Sequence, residues 1–190
     1  IEACAENNLN LIILDRPNPN GFYIDGPILD LEFRSFVGMH PVPVVHGMTI
    51  GEYANMINGE KWLNNMIQCS LNVIPCLNYD HSTRYILPIP PSPNLPNMRS
   101  IYLYPSLCFF EGTNVSIGRG TDFPFQVFGA PYFNKTQFSF TPQATYGAKN
   151  PKHKQKTCYG LDLRILPIDS LQNINKLNLK WLVNSYKLSK

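Results

Sequence analysis

Hydrophobic positions along the chain fall into short blocks separated by polar stretches rich in proline and glycine. The first block, Leu9 to Leu14, is broken only by Asn10 and predicts a parallel, fully buried strand. Residues 1–8 ahead of it read as the end of a helix, with Asn7 or Asn8 as its C-cap. A helix–strand pair without its preceding strand points to an upstream part of the fold beyond this sequence. Thr49 followed three residues later by Glu52 is a capping box and predicts a helix start. Ile50, Tyr53, Ala54 and Ile57 then recur at helical spacing, with Trp62 as a candidate extension of the stripe. Leu71 to Cys76 predicts a short buried strand.

The pattern changes abruptly at residues 87–96, where five prolines in ten residues preclude a helix or a central strand. A domain boundary is expected there, between residues 1–88 and 89–190. Beyond it the pattern predicts a short helix at about 98–104 and a strand from Leu107 to Phe110, which opens into the loop Glu111-Gly-Thr-Asn-Val-Ser-Ile-Gly-Arg-Gly-Thr-Asp122. A buried strand running into a polar, glycine-rich loop is how α/β proteins place functional groups at strand ends. Further strands are expected at 125–128, 137–141 and 161–166. A single helix is expected over 169–187, with Asp169 or Ser170 as N-cap and Leu171, Ile174, Leu177, Trp181 and Leu182 as its apolar face.

Composition narrows the class. The 190 residues are 44% hydrophobic and 15% charged, which fits a folded core and excludes a disordered chain. A net charge of +3 gives no warrant for a nucleic-acid binder. No apolar run reaches the length of a membrane span, and no secretory signal is visible. The five cysteines contain no C-x-x-C pair and read as small buried apolar residues rather than a disulfide framework.

Several residues combine reactive chemistry with an informative position. Glu111 sits at the predicted strand end, where burial would raise its pKa toward general-acid use; alternatively it holds the loop by pairing with Arg119. Arg119, between two glycines, offers a bidentate fork for a carboxylate or forms a structural ion pair with Asp122 or Glu111. Asp15 and Arg16 lie at the end of the first strand, with Asn18 held between prolines; Asp15 could equally cap its own turn. His46 precedes a helix N-terminus, where anions and hydrogen-bonding groups are favoured, although a lone histidine is more often structural. His40, His81 and His153 show no metal-ligand spacing. The basic run at 149–156 reads as a solvated surface.

A set of motifs in fixed order then carries a resemblance. Leu14-Asp-Arg-Pro-Asn-Pro19, Gly26-Pro27, Ser35-Phe-Val-Gly38, Pro43, His46-Gly-Met-Thr-Ile-Gly-Glu52, Pro91-Ser-Pro-Asn-Leu-Pro96, Tyr104-Pro105, Phe110-Glu-Gly-Thr-Asn114 and Gly118-Arg-Gly-Thr121 resemble the exo-β-N-acetylmuramidases of the NamZ type. The match runs from Ile1 to about Pro131 and less distinctly through Tyr159-Gly160; Tyr104-Pro-Ser-Leu-Cys108 and Ser116-Ile-Gly-Arg119 are similar to a Bacteroidetes-type branch. Many relatives carry glutamate where this chain has Ile117, so no acid is needed at that position.

The resemblance implies an α/β fold: the C-terminal part of a Rossmann-like parallel-sheet domain over 1–88, then a smaller, incomplete α+β domain over 89–190, with an active site in the cleft between the two. It implies a glycoside hydrolase releasing N-acetylmuramic acid from the non-reducing end of peptidoglycan fragments, periplasmic, secreted or lipid-anchored. The implied partner is a muramyl glycan; no metal and no cofactor are expected from the residues. The family's P-E-H-G motif, with its proposed catalytic glutamate, is absent from this sequence. On this reading Glu111 supports catalysis, Arg119 or Arg16 binds the lactyl carboxylate, and Asn18, His46 and Asn114 bind hydroxyls or the acetamide; Asp15 stands beside them. The alternatives from other classes are a non-catalytic carbohydrate-binding module and a structural or interaction module.

Overall fold

The computed structural model describes residues 1–134 and 136–189. They divide into two compact units, Ile1–Tyr85 and Ile86–Lys190. The fold is α/β, mixing helices with one parallel and two antiparallel sheets.

The first unit begins with helix α1 (Glu2–Glu6), closed at Asn7, and strand β1 (Asn10–Leu14). A short antiparallel pair follows, β2 (Asp25–Ile28) with β3 (Pro43–Val45), then helix α2 (Ile50–Gly59) and strand β4 (Ser70–Ile74). β1 and β4 pair in parallel, Leu11 opposite Leu71 and Ile13 opposite Val73. The strand is parallel as expected, but it is not fully buried: Ile12 is 57% and Leu14 76% exposed. The burial alternates because α2 covers only the face that carries Val73, where Gly51 of α2 approaches its side chain. The helical stripe is likewise shifted. Gly51, Ala54 and Ile57 are buried, Ile50 faces solvent, and Trp62 lies beyond the helix end.

In the second unit helix α3 (Met98–Leu107) carries Pro105 internally and runs directly into a 3-10 turn, Cys108–Gly112. The strand expected over 107–110 is therefore helical. Its apolar residues continue the burial of Leu103, Leu107 and Phe110, an i, i+4, i+7 series, and a four-residue apolar run cannot by itself distinguish strand from helix. Strands β5 (Val127–Ala130), β6 (Phe138–Phe140) and β7 (Cys158–Asp162) form an antiparallel sheet in the order β5-β7-β6. β5 starts late because Phe125 is in left-handed backbone, at φ 56°. β7 starts early because Gly160 permits a crossing so close that a Cβ there would lie 1.9 Å from the Phe128 carbonyl oxygen.

The expected single C-terminal helix is two, α4 (Ile168–Gln172) and α5 (Lys180–Leu188), and α4 starts at Pro167 without a side-chain cap. Asn173, Asn175 and Asn178 occupy the break, and asparagine side chains compete with helical hydrogen bonding. Asn178 accepts the Lys180 N–H at 3.2 Å, and its own N–H donates to Ser106 Oγ. The core joins Phe110 to Phe128, stacked at 4.9 Å, and Phe128 to Trp181 of α5. All five cysteines are free thiols.

Candidate functional site

In the first unit the polar residues gather where β1 ends and α2 begins. The Asp15 carboxylate accepts the Gly51 N–H at 2.8 Å, the Arg16 N–H at 2.9 Å and the Thr49 hydroxyl at 2.7 Å. Only glycine at position 51 allows this approach, since a Cβ there would sit 2.8 Å from Asp15 Cγ. Burial pushes the Asp15 pKa up, but the three hydrogen bonds outweigh it and hold the carboxyl below its ordinary value. An ionised Asp15 thus anchors the helix start.

Asn18 spends its side chain internally, donating to the Met48 carbonyl at 2.9 Å and accepting the Asn20 N–H at 2.9 Å. The Tyr79 hydroxyl bridges its backbone N–H and C=O. His46 stacks on Tyr53 at 5.1 Å and accepts the Met48 N–H through Nδ1, so its proton sits on Nε2. Burial lowers its pKa and keeps the ring neutral. Arg16 is exposed, and among the described residues its guanidinium has no hydrogen-bond or ion-pair partner.

Two residues that sequence reasoning left aside complete this group. His81 Nδ1 faces the Gly21 carbonyl at 2.9 Å and its Nε2 faces Glu52 Oε1 at 3.0 Å. Two acceptors at once favour the imidazolium, and the bond to Glu52 leads in raising the His81 pKa. Glu52 meanwhile fulfils the capping box expected from its spacing, accepting the Thr49 N–H at 2.8 Å. Tyr79 and His81 lie about sixty residues from the loop they hold, so no local pattern marks them.

In the second unit Glu111 and Arg119 form an ion pair across the glycine-rich loop. The loop pairing, rather than a buried acid on a strand, is what the backbone builds: Glu111 is an exposed residue of the 3-10 turn. The Arg119 guanidinium also lies 5.0 Å over the Phe125 ring. Both residues border a cavity of about 370 Å³ shared with Ser116, Ile117 and residues 147–152. Asn114, on the far side of the same turn, borders a second cavity of about 840 Å³ with Phe110, Tyr132 and Tyr186. Ile117 is buried in the core. Burial, with the nearby Glu111 charge, pushes the Cys108 thiol up to about 11, which removes it as a thiolate nucleophile near neutrality.

The basic run at 149–156 is not simply solvated surface. Lys152 Nζ donates to the carbonyls of Phe110, Glu111 and Thr113, and His153 Nε2 meets that of Asn114. Among the described residues no cluster of histidine, cysteine and carboxylate side chains could hold a metal ion, and no helix is long and apolar enough to cross a membrane.

Comparison with known proteins gives this geometry a context. Residues 1–99 match the family profile described as "Exo-beta-N-acetylmuramidase NamZ, N-terminal", and residues 102–189 match its C-terminal counterpart. The chain is 37% identical over 92% of its length to a Bacillus subtilis protein named peptidoglycan beta-N-acetylmuramidase NamZ, covering 45% of that protein. Among solved structures, a DUF1343 family protein from Bacteroides fragilis superposes over the whole chain with a TM-score of 0.97 at 53% identity, covering 53% of that structure. A second one from the same organism gives a TM-score of 0.68 at 27% identity, over 98% of this chain and 53% of that structure. The chain spans about half the length of these relatives.

Proposed function

The chain belongs to the exo-β-N-acetylmuramidase NamZ family, and on that premise we propose that the protein hydrolyses the glycosidic bond of a terminal N-acetylmuramic acid, releasing the sugar from the non-reducing end of peptidoglycan fragments. The observation that carries this reading is the pair of consecutive family matches, N-terminal then C-terminal, which together take in almost every residue.

Within that reaction the residues divide by chemistry. The lactyl carboxylate of the sugar falls to Arg119 or Arg16, since a guanidinium fork suits a planar anion. His46 keeps its Nε2–H, Asn18 keeps one amide proton, and Asn114 keeps its side chain for hydroxyls or the acetamide. Asp15 orders the loop that presents Arg16 and Asn18. Glu111 is given a supporting part, orienting Arg119, and the principal proton donor lies elsewhere in the protein. A peptidoglycan substrate favours a place outside the cytoplasmic membrane, as a periplasmic, secreted or lipid-anchored species, which cell fractionation tests.

The experiment for the activity is incubation of the full-length protein with a disaccharide carrying N-acetylmuramic acid at its non-reducing end. Free N-acetylmuramic acid detected by mass spectrometry is the expected product. No release from that disaccharide, or from longer muramyl-terminated fragments, would overturn the reading.

A further inference from the structure

The turn that carries Glu111 and Asn114 is held from outside by two adjacent side chains. Lys152 Nζ donates to the Phe110 carbonyl at 3.1 Å and the Glu111 carbonyl at 2.8 Å, and it reaches that of Thr113 as well. Three convergent acceptors use all three ammonium protons. His153 Nε2 meets the Asn114 carbonyl. Four of the five carbonyls between Phe110 and Asn114 are therefore held by one dipeptide. A cation suits this place electrostatically, because α3 and the 3-10 turn end here, at the negative end of the helix dipole.

The backbone of the dipeptide is shaped for the task. In an extended segment neighbouring side chains point to opposite sides, yet Lys152 and His153 reach the same turn. His153 achieves this in left-handed backbone at φ 57°, and Gln155 follows at φ 63°. Side-chain-bearing residues adopt that conformation at a cost and keep it where surrounding contacts enforce it. Here those contacts are the Lys154 N–H to the Pro151 carbonyl, the Lys156 N–H to the His153 carbonyl and the Gln155 N–H to the Pro142 carbonyl. Phe110 fixes the other side of the turn, its side chain fully buried and its carbonyl also accepting the Thr113 N–H and hydroxyl.

We propose that Lys152 and His153 are positioning residues, a clamp that sets the Glu111–Asn114 turn so that Glu111 aims Arg119 and Asn114 faces the substrate. The proposal rests on the glycosidase reading for its catalytic consequence, but its structural content stands apart from that reading.

The test uses the full-length protein with Lys152→Met, which keeps the aliphatic stem and removes the donors, and with Lys156→Met as a control of equal charge change in the same run. Amide hydrogen exchange at residues 111–115 is expected to accelerate by about tenfold or more in Lys152→Met, with β5 and β7 unchanged. kcat/KM on the muramyl disaccharide is expected to fall by about tenfold to a hundredfold, mostly in kcat. Lys156→Met should move neither quantity. Unchanged exchange at 111–115 overturns the clamp, and so does an acceleration shared equally by β5 and β7, which would mark a general stability role. Local acceleration with wild-type kcat/KM overturns the positioning role. A wild-type protein that releases no sugar overturns the glycosidase reading instead, and the exchange arm then decides the clamp alone.

Discussion

Glu52 divides its two carboxylate oxygens between a helix and a histidine: Oε2 accepts the Thr49 N–H that starts α2, and Oε1 lies 3.0 Å from His81 Nε2. The histidine in turn faces the Gly21 carbonyl, so one residue links the helix start to the loop after β1. Both side chains are about half exposed, which limits the pair to a few tenths of a kcal/mol up to about 1 kcal/mol.

That link makes a pH-dependent contribution whose sign follows from the two shifts. The His81 pKa is raised, chiefly by Glu52, so its contribution is complete below the ordinary histidine value of 6.5 and is lost as pH rises through the folded value. Burial pushes Glu52 up, but the Thr49 and His81 bonds lower it on balance, so its contribution holds above the ordinary value of 4.5 and is lost as pH falls through the folded value. The window where both act lies between those two ordinary values. The stability difference between wild type and His81→Gln is expected to be larger at about pH 5.5 than at about pH 8.5. Urea unfolding at the two pH values checks this, and an equal difference at both would remove the link.

The helix cap itself gives a larger effect. Thr49 is buried, caps the Glu52 N–H through its hydroxyl and donates that hydroxyl to Asp15. Thr49→Ala removes the cap and leaves Asp15 one donor short, with an expected loss of about 1–2 kcal/mol. Thr49→Ser keeps both bonds and should recover most of it. Chemical denaturation of the two variants makes the comparison.

How much of this was readable in the sequence depends on the distance over which each feature is determined. The capping box was legible because Thr49 and Glu52 lie within one helical turn. The ordered motifs around Asp15, His46 and Gly118 were legible as a family resemblance and led to the correct fold class and family. The 107–110 segment was misread because a four-residue apolar run suits strand and helix alike, whereas burial of Leu103, Leu107 and Phe110 on one side carries the helix past Pro105. His81 was weighed only for metal spacing and Lys152 only as surface charge, because the loop carbonyls they hold lie 60 and about 40 residues away and carry no sequence signal.

The Glu111–Arg119 pair separates a structural role from a functional one. The two side chains are 39% and 37% exposed, so their loss is expected to cost under about 1 kcal/mol of stability. Arg119→Ala and Glu111→Gln should nevertheless each lower kcat/KM on a muramyl-terminated disaccharide by about tenfold or more. Retention of wild-type kcat/KM in both variants would take the pair out of the site and leave it as a loop contact.

Gly120 tests the loop that carries Arg119. Its φ is +83°, and a Cβ would lie 2.4 Å from the Gln143 carbonyl oxygen and 2.5 Å from Pro151 Cγ. Left-handed backbone alone costs an ordinary residue about 1–2 kcal/mol, and the steric conflict adds to it. Gly120→Ala is therefore expected to destabilise by more than about 2 kcal/mol in urea unfolding. Gly112 lies on the same loop, and a Cβ there would have nothing within 4 Å. Gly112→Ala should stay within about 0.5 kcal/mol of wild type. If both alanines behave alike, the close approach at Gly120 does not govern the loop.

Phe110 joins the core to the turn through one residue. Its ring is fully buried and stacks on Phe128 at 4.9 Å, while its carbonyl accepts from Thr113 and Lys152. Truncation to alanine removes the ring from a packed interior and leaves a cavity, an expected loss of about 3–5 kcal/mol. Phe110→Leu keeps more of the volume and every backbone hydrogen bond, so it should cost less, within about 1–3 kcal/mol. The informative quantity is how the two losses reach the turn. If the core sets the turn, amide exchange at 111–115 rises in Phe110→Ala in proportion to global stability. If the Lys152 and His153 contacts set it, exchange there stays slow in Phe110→Leu even as the core amides of β5 accelerate. The second pattern is the one expected here, because Lys152 and His153 hold carbonyls and touch no part of the Phe110 ring through their hydrogen bonds.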